Sequence, residues 1–536
     1  MSRHNAQELF VRFLNDQALT DSTFFNVPRG TAYITYQQVA TLAASFVYYV
    51  LLIHVLNLAE IGEVSILAVV LYVFTTITQL SIPEASTRFI SANVRSQDRS
   101  AATAITRTSL RLLLIFAGPG LVFALVATPW IGLTVFKTAD AGLLLVVTFA
   151  SGFLLDLTSL YGAYFLGLGR YADMVYQNIL YAPLSRGLGL VLAYGGLGLL
   201  GIPVGWVISA FATLLLSLYL WKGNPSGANG YPVRPLLVFG LPLFASAIVS
   251  LLQNWGDVAI LQGIVGEFGT TGAYYIVISS VTFLSILWTP VAGALYPALS
   301  HSYASSGPTA VTSRLGVAMR LVNLTVLPAG TALAAVAPTA LEAVYGNALG
   351  NQAIPFAILA ATIIFPAHSL LLITTLQAIG RTKPILGISL AAVLIDFSTV
   401  GLGAAALGTT AGAIGRALMA ISMTALAWLS LRKFAHIPIT NGLSKAFILA
   451  IVSAIPLVLI DNFLTVDSRL QPLSRVPALL GVFVICFFAA SRAISAFTQD
   501  DFELLENALP GFLGRPLALL QRLLRPNAAV IPRIDS

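Results

Sequence analysis

Six side chains set deep within long apolar runs are where this sequence could do chemistry: Asp156, Arg186, Asp257, His368, Asp396 and Arg416. A charge at the centre of a bilayer costs about 2.5 to 3.5 kcal/mol on insertion scales, so such groups face a bundle interior or a wet cavity. A carboxylate there can hold a proton or a sodium ion. An arginine offers a planar fork of donors that fits a phosphate, and a histidine titrates near neutrality. Glu84 and Arg88 mark the end of the second run, which makes Arg88 a second guanidinium for an anionic headgroup.

Helical spacing sharpens the case for Asp257. In FGLPLFASAIVSLLQNWGDVAILQGIVG, Ser246, Ser250, Gln253, Asn254 and Asp257 recur every three or four residues and share one helix face. The first run repeats the pattern with Thr31, Thr35, Gln38, Ser45 and Tyr49. Two matched polar faces line a cavity or hold the bundle together by interhelical hydrogen bonds. The substrate-binding candidates are Arg186, Arg88, Asp257, Asn254, Gln253, Ser250, Gln38 and Arg416; the ion-coupling candidates are Asp257, Asp156, Asp396 and His368. Arg186 either meets a phosphate or pairs with Asp396. His368, two residues after Pro366, either carries protons or hydrogen-bonds inside the bundle. Arg416 lies nearer a membrane surface, where a long side chain can snorkel to water.

The elements that position these groups are membrane helices. Of 536 residues, 57% are hydrophobic and 9% charged, against about 25% charged in an ordinary soluble domain. Runs long enough to span the hydrocarbon layer fall near 31–56, 63–83, 109–135, 142–168, 174–195, 199–221, 236–265, 270–297, 315–341, 353–379, 384–407, 409–431, 443–463 and 474–493. The reading is an all-α polytopic membrane protein with about fourteen transmembrane helices. Alternate loops collect the basic residues, from Arg88, Arg95 and Arg99 through Arg432, Lys433 and Lys445, while the opposite loops receive only Lys137, Arg469 and Arg475. By the positive-inside rule both termini are cytoplasmic, in a plasma membrane. The net charge of +7 then belongs to those loops and implies no nucleic acid.

The chain also repeats itself. From Gly167 to Lys222 it aligns without gaps on Ala378 to Lys433, an offset of 211 that pairs Gly169-Arg170 with Gly380-Arg381 and Gly201 with Gly412. A weaker match at offset 210 pairs Gly62 with Gly272. Six intervening spans keep the halves in one orientation, which predicts two six-helix lobes about an axis along the membrane normal, a transporter architecture. The expected division is 1–30, cytoplasmic; 31–222, first lobe; 235–433, second lobe; 443–493, two further helices; and 494–536, a cytoplasmic amphipathic tail. AQELFVRFLNDQAL near the amino terminus has the same amphipathic spacing. A single cysteine, Cys486, excludes internal disulfides, and no metal site is expected. GxxxxGK[ST] and HExxH motifs are absent, and no enzymatic activity or cofactor is expected beyond proton or sodium coupling.

The run from Phe239 to Tyr275, which opens on Gly-Leu-Pro and carries Asp257 before a glycine-containing turn, resembles the seventh-helix signature of polysaccharide-unit flippases. LNLAEIGEVSIL, LPAGTALAAVAPTALEAVYG and LQAIGRTKPIL agree with it. The resemblance places the chain in the multidrug/oligosaccharidyl-lipid/polysaccharide exporter superfamily. It implies translocation of a polyprenyl-phosphate-linked oligosaccharide to the outer leaflet by alternating access, for surface polysaccharide or protein glycosylation. Its implied partners are that lipid-linked glycan, the bilayer and glycan-assembly enzymes. A cation-coupled drug or metabolite antiporter and a passive scramblase-like protein are the alternatives.

Overall fold

The computed structural model describes residues 27–95, 99–138, 140–221, 230–434, 437, 439–466, 472–508 and 514–524; the amphipathic stretch near the amino terminus lies outside them. Among the described residues every regular element is helical. The first lobe contains α1 (Val27–Val55), α2 (Leu58–Gln79), α3 (Ile82–Arg95), α4 (Arg99–Ile131), α5 (Ala141–Gly167), α6 (Tyr171–Leu192) and α7 (Gly201–Trp221). The second contains α8 (Val233–Val265), α9 (Phe268–Thr282), α10 (Thr289–Ser306), α11 (Pro308–Ala335), α12 (Ala337–Tyr345), α13 (Ala353–Ala361), α14 (Ile364–Ala378), α15 (Lys383–Leu407) and α16 (Thr409–Leu431). Then come α17 (Leu443–Val466), α18 (Pro472–Ala493), α19 (Gln499–Ala508) and α20 (Gly514–Leu524).

Thirteen described stretches are long and apolar enough to cross a membrane, and one of them, Tyr171–Trp221, is 51 residues long. That stretch is two helices folded back on each other. Gly196 and Gly198 take φ of 108° and 52°, in the region open to glycine. Residues equidistant from Leu197 then face each other: Gly189 packs against Gly205, Ala193 against Gly201, and Gln177 Nε2 donates to Ser217 Oγ at 2.8 Å. Counted as two, the hairpin brings the described stretches long and apolar enough to cross to fourteen.

The repeat recurs in backbone detail. Gly169 and Gly380 have φ of 72° and 73°, and the amides after them, Arg170 and Arg381, each reach back 2.8 Å to the carbonyls of Phe165 and Leu376. Both helices therefore end in the same glycine-capped turn. The α6–α7 hairpin, turned at Gly198, has its counterpart in α15–α16, turned at Gly408 with φ 53°. Where the lobes meet, the symmetry is explicit: a methyl on Gly62 would strike the Phe268 carbonyl, and one on Gly272 would strike the Leu58 carbonyl. Each contact maps onto the other by the offset of 210, so α2 and α9 cross on the pseudo-two-fold axis.

Some boundaries differ from the hydropathy reading for local reasons. The span expected at 270–297 breaks into α9, a tight turn over Phe283–Leu287 and α10, where Pro290 at the start of α10 cannot continue the ladder. The span at 353–379 breaks between α13 and α14, two residues before Pro366. Leu80 and Ser81, both at positive φ, separate α2 from α3, and α12 is a short helix that hydropathy merges with its neighbours.

On α11, Arg320 donates to Asp501 Oδ1 through Nε (3.0 Å) and Nη2 (2.9 Å), while Asp501 Oδ2 accepts from the Thr498 amide at 2.7 Å, so α19 is fastened to the second lobe. In the amphipathic α20, Leu519 and Leu523 are exposed.

Candidate functional site

The inner faces of α1, α2, α8 and α9 border a partly open cavity of about 660 Å³ between the lobes. From the first lobe come Ser45, Phe46, Tyr49, Tyr72 and Thr76; from the second, Ser250, Asn254, Trp255, Tyr275, Ser279, Thr282 and Phe283, with Arg416 from α16. Aromatic rings form a ladder across the lobe boundary. Tyr72 stacks on Trp255 with centroids 5.1 Å apart, Trp255 on Tyr275 at 6.1 Å, and Tyr275 meets Tyr49 edge-on at 5.4 Å. The Tyr49 and Tyr275 hydroxyls lie 3.0 Å apart and join the lobes directly. Beyond them the Gly62–Gly272 crossing seals one end.

Asp257 sits fully buried at the cavity's edge. Arg416 donates Nε to its Oδ2 at 2.6 Å and Nη2 to its Oδ1 at 2.9 Å, and the Tyr274 hydroxyl donates to Oδ2 at 2.5 Å. A two-pronged guanidinium–carboxylate pair fixes both orientation and charge. Arg416 Nη2 also donates to the Asn254 carbonyl at 2.7 Å. Small residues let these groups approach: a methyl on Gly256 would strike the Phe397 ring, on Gly412 the Tyr274 ring, and on Gly415 the Asp396 carboxylate. Arg416 is thus an interior residue whose partner is Asp257, and snorkelling does not describe it.

The other expected residues divide between cavity and frame. Ser250 and Asn254 line the central cavity. Gln253, its Nε2 3.3 Å from Met423 Sδ, lines a second recess of about 290 Å³ within the second lobe, which shares Asn254, Thr282 and Arg416 with the first. Gln38 is half-buried on α1 outside the lining, and of Thr31 and Thr35 only the backbone is described. Arg88 is exposed on α3, its guanidinium 4.0 Å from the Phe239 ring centroid rather than in the cavity. Asp156 accepts from Thr78 Oγ1 at 2.6 Å and Gln79 Nε2 at 2.9 Å, which fastens the end of α2 to α5. His368 Nε2 lies 2.7 Å from Asn323 Oδ1, and Asn323 Nδ2 holds the carbonyls of Ile439 and Asn441. That network pins the connection between α16 and α17 to α11.

The pair expected between Arg186 and Asp396 is not formed. Asp396 is fully buried with both carboxylate oxygens lacking a hydrogen-bond partner, within electrostatic reach of Asp257 and Arg416. Arg186 donates to the Ala182 carbonyl of its own helix at 3.1 Å and lies within electrostatic reach of the phenols of Tyr48, Tyr72 and Tyr181. No carboxylate pairs with it among the described residues. The second lobe therefore neutralises Arg416 internally, while Arg186 in the first lobe stands near tyrosines with no carboxylate partner among the described residues. Among the described residues no three His, Cys, Asp or Glu side chains cluster as metal ligands.

Two six-helix lobes about an interlobe cavity form a fold that this chain shares with solved membrane transporters. The chain is similar to the lipid II flippase MurJ in an inward closed conformation (TM-score 0.70, 10% identity, covering 86% of this chain and 98% of that one). It is also similar to an inward-facing multidrug resistance MATE family transporter of the MOP superfamily (TM-score 0.62, 16% identity, 74% and 94%). A third likeness is to a MOP superfamily transporter from Pyrococcus furiosus (TM-score 0.55, 14% identity, 76% and 96%). By sequence the chain belongs to the polysaccharide biosynthesis protein family, which it matches over residues 27–303. No curated protein matches it.

Proposed function

We propose that the chain is a flippase that carries a polyprenyl-phosphate-linked oligosaccharide across the bilayer by alternating access, with 31–222 and 235–433 as the bodies that move. The observation that carries the reading is the interlobe cavity, sealed at one end, with Arg186, a guanidinium that lacks a carboxylate partner among the described residues, within electrostatic reach of Tyr72 in its lining. A cation in a low-dielectric bundle calls for an anion, and a lipid phosphate supplies one while its chain stays in the bilayer. Membership of a polysaccharide biosynthesis family supports a glycan headgroup.

Taking the arginine-rich loops as cytoplasmic puts the termini inside and the Gly62–Gly272 seal outside. The headgroup then enters from the cytoplasmic leaflet of the plasma membrane and leaves once the seal parts. Nothing in this cycle calls for bond chemistry by the protein. Cation-coupled export of a smaller solute is the second reading, favoured by the buried, unpartnered Asp396.

The test is reconstitution into proteoliposomes with a labelled polyprenyl-diphosphate oligosaccharide, following its accessibility to an external glycan-modifying probe. The protein is expected to accelerate transfer, and R186Q to lose it. Exchange of a cationic dye for protons, with no glycan transfer above empty vesicles, would establish the second reading instead.

A further inference from the structure

The lining of the central cavity bears on which glycan it takes. Among its described lining residues Arg416 is the only charged one, and that guanidinium is already bound two-pronged by Asp257. The described lining therefore presents no free charge of its own; Arg186, without a carboxylate partner among the described residues, lies outside that lining and within electrostatic reach of Tyr72 in it. What the lining offers instead is aromatic surface and neutral hydrogen-bonding groups. Tyr72 is 48% exposed on the cavity side of its stack with Trp255, and Phe46 and Phe283 pair at 4.7 Å across the lobe boundary. Ser250, Asn254, Ser279 and Thr282 supply donors and acceptors around them. A pyranose ring has the matching chemistry: an apolar C–H face that lies on an aromatic ring and a rim of hydroxyls that exchange hydrogen bonds. A uronate or other acidic sugar would bring a further negative charge into a partly closed space whose described lining offers no free cation to receive it, a cost that grows with burial. A volume of about 660 Å³ is within the range of sites that enclose a compact ligand of a few rings.

We propose that the headgroup is a short glycan of uncharged sugars, its lipid phosphates the only charged groups, stacked on Tyr72 and the Phe46–Phe283 pair and hydrogen-bonded by the serines, asparagine and threonine of the second lobe. The inference rests on the flippase reading and adds the charge class of the glycan to it.

Two probes separate the claims. One is a polyprenyl diphosphate bearing a neutral trisaccharide; the other is identical except for one hexuronic acid. In proteoliposomes holding the full chain, the neutral probe is expected to cross at least tenfold faster. Y72A should slow the neutral probe, and S279R, which places a free cation in the lining, should raise the rate of the acidic probe and narrow the ratio. Equal rates, or a faster acidic probe, would overturn the neutral-glycan assignment while leaving the flippase reading intact. Transfer of neither probe by the wild-type protein would overturn both. A gain by S279R is a result that misfolding cannot mimic.

Discussion

Asp257 and Arg416 together decide how much of the site is frame and how much is available to a ligand. Removing one member of a buried ion pair leaves the other uncompensated, a loss of about 3 to 5 kcal/mol. D257N is therefore expected to lower the thermal stability of the purified protein sharply, as is R416Q, and the double variant should recover part of the loss. A D257N protein as stable as wild type in a thermal-shift measurement would show that the pair carries no structural load. Arg186 behaves differently because among the described residues it has no carboxylate to strand. R186Q should leave stability nearly unchanged and cut transport about tenfold to a hundredfold, as expected for one charge-assisted hydrogen bond of about 1.5 to 3 kcal/mol. R186K should retain part of the activity. Periodicity alone identified Ser250, Gln253 and Asn254 as neighbours of Asp257, since residues one helical turn apart share a face. It could not reveal that Arg416, 159 positions away, closes onto the carboxylate, because that pairing depends on how α16 packs against α8. Tyr274 was missed for the same reason, hidden in an apolar segment without helical alternation.

At the level of single elements, start signals and breaks decide where each helix presents its side chains. The Asn57 side chain accepts from the Ala59 and Glu60 amides, both at 3.0 Å, and Glu60 Oε2 accepts from the Asn57 amide at 2.9 Å. This capping box starts α2 at Leu58, one turn before Gly62 reaches the axis. N57A should cost about 1 kcal/mol, read as a lower unfolding midpoint; an unchanged midpoint would mean the helix start is held by packing alone. At the other end of α2, Asp156 receives Thr78 and Gln79 just before the break at Leu80 and Ser81. The apolar length of each span was legible in sequence because twenty apolar residues in a row serve few other purposes. The breaks within the eighth and tenth spans were not, since hydropathy averages over a proline that stops a helical ladder. The Arg320–Asp501 link was equally out of reach, as it joins α11 to a helix beyond the last crossing. D501A should release α19 and expose the end of the chain to limited proteolysis, and unaltered cleavage would show the link to be dispensable.

Over the whole molecule, the repeat fixes both the symmetry and the place where the lobes touch. Gly62 and Gly272 were paired in sequence by their offset alone, whereas their meeting on the axis follows from the lobes closing over one end of the cavity. A side chain at either position must push backbone from backbone. G62L is accordingly expected to part the seal and lengthen the distance between spin labels on the α1–α2 and α8–α9 turns; an unchanged distance distribution would place the seal elsewhere. Alternating access requires the lobes to separate at this end for the headgroup to pass. Cysteines placed at Tyr49 and Tyr275, whose hydroxyls lie 3.0 Å apart across the boundary, would bridge it in a C486S background that removes the single native thiol. A short reducible bis-methanethiosulfonate linker would join the lobes, and glycan transfer would be followed before and after reduction. Transfer should stop in the linked protein and return once the linker is reduced; transfer at the same rate in both states would contradict the account.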